Sequence, residues 1–201
     1  MAELRRKTPV QRRAAQTVET LLDAAAQVLQ NEAEPRFSTN RVAEAAGFSI
    51  GTLYQYFPNK NAMVQALVER ERAAIEAAIV KALAKSDTND VATIIRIVVR
   101  TLIGAFGRRR RMRKFVILQM IRLNLAPAAL KGLDDIGLVV VAAIAERGAG
   151  NVRLLSEAAS FVFTRAIMGA IRAAVLEDRA ILETPDFENE LVRLALRFVL
   201  A

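Results

Sequence analysis

The chain has 201 residues, 53% of them hydrophobic, with only 9 glycines and 5 prolines; few breakers and many helix formers favour an all-α protein, as one compact unit or as a small head on a larger core. It contains no cysteine and no histidine, which excludes disulfides, thiol redox chemistry, c-type haem attachment, the usual zinc ligand sets and imidazole-based serine or cysteine catalysis. A formal net charge of +8 fits a polyanionic partner, either nucleic acid or an anionic membrane surface.

The first residues hold Arg5, Arg6, Lys7, Arg12 and Arg13 against the single acid Glu3. They read as a basic arm leading into a helix near Pro9, suited equally to a DNA groove or to a solvated tail. No apolar stretch follows that charged start, so a secretory signal is not expected. Apolar residues then recur at Val18, Leu21, Leu22, Ala25, Val28 and Leu29, the spacing of one buried helical face, with breakers at Asn31 and Pro35.

Residues 38–57 carry the densest local pattern. Ser38 or Thr39 can cap a short helix whose Val42, Ala43 and Ala46 share a face, and the alanines allow a second helix to cross closely. Gly47 suits the left-handed turn that ends that helix, and Phe48 is placed to fill the gap behind it. Ser49 can cap a second helix from Ile50 to Tyr56, with Leu53 and Phe57 pointing inward. That is a helix-turn-helix layout. The face left over, Ile50, Gly51, Thr52, Tyr54, Gln55 and Tyr56, suits a major groove: apolar groups can meet thymine methyls, glutamine can read adenine edges, and hydroxyls can bond phosphate.

A long helix is expected from an Asn59 cap to about Lys85, joining head to core directly. Helices are then expected over 91–106, 109–123, 128–147, 153–178 and 185–200, punctuated by Gly107, Pro127, Gly148 with Gly150, and Pro185. Strand signals are absent. The longest apolar runs, such as 138–145, fall short of the roughly 20 residues that span a bilayer, so a soluble cytoplasmic protein without a membrane partner is expected. No paired-carboxylate, phosphate-loop or metal-ligand spacing appears, so no catalytic residue, metal or cofactor is expected.

The string from Thr39 through Phe57, with Pro58-Asn59-Lys60 after it, resembles the DNA-binding signature of TetR-family regulators: an opening threonine, an Ala-Gly turn, then Ser-x-Gly-Thr-Leu-Tyr-x-Tyr-Phe and a lysine starting the next helix. Phe48 stands where a smaller aliphatic residue is commoner, and 31–35 lacks the usual loop glycine. The resemblance implies an N-terminal three-helix head, residues 1–60, joined by a long helix to a helical ligand-binding and dimerisation domain, residues 61–201. It implies phosphate contacts from Thr39, Tyr54, Tyr56 and Lys60 and base-edge contacts from Asn40, Ile50, Gly51, Thr52 and Gln55. Arg41 and Ser49 complete the expected DNA-binding set. The implied function is a homodimeric transcriptional regulator on a near-palindromic double-stranded operator, a repressor released by a small apolar or amphipathic effector. The alternative is a DNA-bound interaction protein whose core binds a protein partner.

In the core, Gln119 and Thr164 are polar residues within apolar runs; they read first as satisfied core or exposed polar groups, and otherwise as candidates for an effector pocket. Arg96 and Arg100, four apart, read as a solvent-facing pair. The run Arg108, Arg109, Arg110, Arg111, Arg113 and Lys114 begins a helix, where cations meet the unfavourable end of the dipole, and reads chiefly as solvated surface. Apolar residues recur at 155, 158, 159, 162, 166 and 170, then at 191, 194 and 198; the resemblance implies that these helices pair with their copies in a four-helix bundle, and intrachain core packing is the alternative.

Overall fold

The computed structural model describes residues 9–31, 37–122, 144 and 155–200. Its elements are helical: α1 (Pro9–Asn31), α2 (Thr39–Ala46), α3 (Ile50–Tyr56), α4 (Lys60–Ala84), α5 (Val91–Gly107), α6 (Arg110–Arg122), α7 (Glu157–Leu176), a 3-10 turn (Ala180–Glu183) and α8 (Pro185–Val199). The expected arm through residue 8, the 32–36 loop, and the helix over 128–147 with Pro127, Gly148 and Gly150 lie outside the described residues. The chain divides into two compact units, Met1–Leu67 and Val68–Ala201, so the first turns of α4 belong to the first unit.

In the first unit, α1 buries Leu21, Leu22, Ala25, Val28 and Leu29 and packs against α2. Ser38 caps α2, its Oγ accepting from the Arg41 amide at 3.2 Å. At the other end Gly47 adopts φ +72°, and the amides of Gly47 and Phe48 close back on the carbonyls of Glu44 and Ala43 at 3.1 and 3.0 Å. This left-handed closure satisfies carbonyls that a helix end leaves orphaned. Ser49 caps α3 through the Thr52 amide at 3.1 Å, and Asn59 Oδ1 accepts from the Ala62 amide at 2.9 Å at the start of α4. Leu53, Phe57, Met63, Val64 and Leu67 complete the apolar interior of the head.

In the second unit, Ile75, Ile79 and Leu83 of α4 join one apolar cluster with α5, α7 and α8. Thr184 caps α8 and Pro185 occupies its first turn, where a missing N–H costs nothing. Arg96 and Arg100 are not a free solvent-facing pair. They hold Glu188 in the first turn of α8 at 3.0 and 2.8 Å, and Arg96 also donates to Asn189 Oδ1 at 2.8 Å. Both guanidiniums, Arg100 first, hold the Glu188 carboxyl below its ordinary range.

The basic run likewise departs from a solvated face. Arg113 is buried, paired with Glu71 at 2.6 Å, bonded to the Ala105 carbonyl at 3.1 Å and stacked over Phe106. Arg110 reaches the carbonyls of Ala174 and Arg179 at 3.3 and 2.7 Å, and Lys114 pairs with Asp178. Asp178 sits at φ +52°, and the amides of Asp178 and Arg179 return to Val175 and Ala174 in the same closing pattern as at Gly47. Cations disfavoured at the start of α6 are thus favoured at the carbonyl end of α7. Arg108, Arg109 and Arg111 remain exposed.

α7 starts later than expected, at Glu157, because Ser156 takes the cap and its Oγ accepts from the Ala159 amide at 3.2 Å. Against the expectation from short apolar runs, α7 is by length and composition apolar enough to cross a membrane. It also carries Arg165 and Arg172, and it buries Ile167, Met168, Ile171, Ala174 and Val175 within its own unit.

Gly47→Ala should lower stability by about 1–2 kcal/mol, because a methyl group there meets no atom within 4 Å and the cost is the left-handed backbone alone. Urea unfolding followed by circular dichroism measures it, and Gly47→Asn should recover part of the loss. Glu188→Gln should flatten the acid limb of the stability profile. A carboxyl depressed in the fold contributes above its unfolded value and loses that contribution as pH falls through its folded value. Thermal midpoints measured from pH 6 downward check the sign: wild type should lose its advantage over the variant as the pH drops below about 4.5.

Candidate nucleic-acid interface

α3 has seven residues and turns only Leu53 fully inward. Its remaining positions point outward. Ile50 is 37% exposed and Tyr54 49%; Gly51 and Gln55 are exposed, and Thr52 and Tyr56 half-exposed. Both tyrosines of the chain lie on this one helix. Because Ser38 does the capping of α2, the Thr39 hydroxyl is left for another bond and lies 3.2 Å from the Tyr54 hydroxyl. Residues from two helices thereby present a joined pair of hydroxyls, each still able to donate or accept once more.

The polar groups of α3 have different duties. The Ser49 Oγ is occupied by the Thr52 amide and the Thr52 hydroxyl, at 3.1 and 2.9 Å, so it fixes the helix start and the Thr52 rotamer together. Gly51 answers no packing need inside the head, since a methyl group there would meet only Ser49 Oγ at 3.7 Å. A close approach from outside is what its bare backbone permits. Asn40 is exposed at the start of α2, and Arg41 makes an ion pair with Glu44 at 2.7 Å.

Lys60 differs from the phosphate contact implied by resemblance alone. Its amine donates to the Phe37 carbonyl at 2.9 Å and lies 5.0 Å from the centre of the Phe37 ring. The same lysine therefore ties the start of α4 to the entry of α2, with two further ammonium hydrogens left for a partner.

In the second unit a cleft of about 50 Å³ opens among α4, α5, α6 and α7. Its lining includes Phe106, Val116, Met120, Met168 and the arginines at 72, 113 and 172, but neither Gln119 nor Thr164. Thr164 is buried and donates to the Ser160 carbonyl at 2.8 Å, a helical back-bond. Gln119 is half-buried. Sequence reasoning passed over Arg172, whose signal was a cation within the otherwise apolar run from Ile167 to Val175.

Residues 21–67 match the family model described as bacterial regulatory proteins of the tetR family. A stretch of 64 residues is 39% identical to the nucleoid occlusion factor SlmA of Haemophilus ducreyi, covering 32% of this chain and 30% of that protein. The chain thus matches less than a third of the length of that relative. The fatty acid degradation regulator FadR from Bacillus halodurans shares the fold with a TM-score of 0.68, over 97% of each chain at 19% identity. A TetR family transcription regulator from Marinobacter aquaeolei VT8 does so with a TM-score of 0.64, over 94% of this chain and 97% of that one at 16% identity. At such identities the likeness is one of fold.

If the outward face of α3 has no structural duty, Gln55→Ala should leave stability within about 0.5 kcal/mol of wild type. Lys60→Met should lower it by about 1 kcal/mol, because the Phe37 carbonyl loses a charged donor. Chemical denaturation of the two variants side by side separates the outward residue from the inward tie.

Proposed function

We propose that the chain, whose residues 21–67 match the tetR family of bacterial regulatory proteins, binds a near-palindromic operator as a homodimer and represses transcription until a small apolar or amphipathic effector releases it. The observation that carries this reading is the outward face of α3. Thr52, Tyr54 and Gln55 sit on a capped helix whose opposite side is locked by Leu53, with the Thr39 hydroxyl alongside. Neutral hydroxyls and a lysine suit phosphate oxygens, and Gln55 suits an adenine edge. Tyr56, Ile50, Gly51, Asn40, Arg41 and Ser49 complete the proposed surface. The activity is recognition, not catalysis, and its place is the cytoplasm, where the operator lies.

Two observations support a homodimer. A single small helix-turn-helix module rarely reaches specific affinity alone, whereas two half-sites one helical turn apart do. Phe161 and Val162 of α7 are 56% and 55% exposed, beside exposed Ala158, Ala166 and Gly169, and Leu194 of α8 is also exposed. Large apolar groups next to small ones suit a second copy of the same surface. Effector coupling of about 1–3 kcal/mol is enough to change operator affinity 5–150-fold.

A second reading keeps the same head and gives the core a protein partner. The small size of the described cleft favours it, since small-molecule pockets commonly hold about 300–1,000 Å³.

Selection of bound sites from a random DNA pool tests the function directly, and a recovered inverted repeat with half-sites about one turn apart is expected. Tyr54→Ala should weaken binding to every recovered sequence and reduce the salt slope little, because the lost contact is neutral. Gln55→Ala should cost about 1–3 kcal/mol at one base pair of each half-site. A uniform loss across all sequences for Gln55→Ala would remove it from base reading. Protein that ignores duplex DNA of every sequence at low salt would end the proposal.

A further inference from the structure

Among the described residues, the cleft of the second unit holds one arginine without a counter-charge. Of the arginines lining it, Arg72 is bound to Glu69 and Glu76 at 2.6 and 3.2 Å, and Arg113 to Glu71 at 2.6 Å. Glu71 is also shared with Arg70 at 3.5 Å. Arg172 has no hydrogen-bond or ion-pair partner among the described residues, although it is half-buried on α7. Burial first, and the neighbouring Arg165 second, pull its guanidinium below the ordinary arginine value, the direction expected of a cation short of a counter-charge. An arginine stays protonated under such pressure, so the charge persists and asks for an anion.

The surroundings define that anion. The walls beside Arg172 are Phe106, Val116, Met120 and Met168, all apolar. One positive charge without a counter-charge among the described residues matches a monoanion better than a dianion such as phosphate. Room for about 50 Å³ takes a head group and its first carbons; two methionines among the walls can change rotamer to admit more. We propose that this cleft binds a small monocarboxylate with an apolar tail, its head held by the fork of Arg172 and its tail laid along Phe106, Val116 and Met168. This names the chemical class of the effector and rests on the effector reading above for its consequence at DNA.

Hexanoate, with acetate and hexan-1-ol as controls, tests the proposal by isothermal titration calorimetry on the full chain without DNA. Wild type should bind hexanoate at least about 10-fold more tightly than either control, since one lacks the tail and the other the charge. Arg172→Met should lose about 10- to 100-fold for hexanoate, the range of a charged hydrogen bond, and leave hexan-1-ol unchanged. Arg172→Lys should fall between the two, keeping the charge without the fork. The fold is checked in the same samples by thermal unfolding, where Arg172→Met should melt no lower than wild type because it removes a half-buried cation with no counter-charge among the described residues. Equal binding of hexanoate to wild type and Arg172→Met, equal binding of acetate, or no binding of hexanoate would overturn the proposal. Operator affinity is measured separately with and without hexanoate. Binding through Arg172 with unchanged operator affinity sinks effector release while leaving the site standing.

Discussion

A helix of seven residues has no stability of its own in water, since nucleation costs more than so few hydrogen bonds return. α3 therefore exists because the head holds it at three places: the Ser49 cap at its start, Leu53 in its middle and Phe57 at its end. All three lie on one side or at the termini. The consequence is a division of labour within two turns of helix. The inward side is fixed by packing; on the outward side Gln55 is exposed, while Thr52 and Tyr54 also bond Ser49 and Thr39. The Gly47 corner sets the angle at which this happens, and its left-handed backbone is a conformation that other residues reach only at a cost.

Charge is distributed otherwise than the total suggests. Residues 1–67 hold eight basic residues against six acidic ones, so most of the +8 lies in the second unit. There, much of the basic run serves the fold. Arg110 and Lys114 attend the carboxyl end of α7, and Arg113 is buried on Glu71. A buried pair of this kind adds little net stability over apolar packing, yet loss of either partner strands a charge in the interior. Arg172, half-buried in the same unit, has no counter-charge among the described residues. The proposed DNA-facing surface, by contrast, offers hydroxyls, an amide and a few cations placed by geometry, the kinds of group that position and specify rather than merely attract.

In the second unit one apolar helix combines inward packing with an exposed apolar face. α7 has the length and composition to span a bilayer. Its Ile167, Met168, Ile171 and Val175 are turned inward, while Phe161 and Val162 are left exposed. Phe163 stacks on Phe198 of α8 at 5.3 Å between ring centres, so the two terminal helices share one apolar seam before any second copy is considered.

The order and spacing of residues alone determined the all-helical class, the caps at Ser49 and Asn59, the glycine corner, and which face of α3 turns outward; Ser38 against Thr39 was left open until the structure gave Ser38 the cap. These are local matters: a cap reaches two or three residues along the chain, and helical periodicity assigns faces without knowledge of what they meet. Tertiary structure decided the partners of long side chains. Arg96 and Arg100 do face solvent in large part, but the ion pair they make with Glu188, nearly ninety residues away, was not legible in their spacing. Arg110 and Lys114 looked misplaced at a helix start until the end of α7 arrived beside them. Gln119 and Thr164 drew attention as polar groups in apolar runs, yet the cleft is lined by Arg172, because which residues share a cavity depends on four helices meeting. An arginine's charge is written in the sequence; whether it is paired, capping or left without a partner is set only when distant segments are brought together.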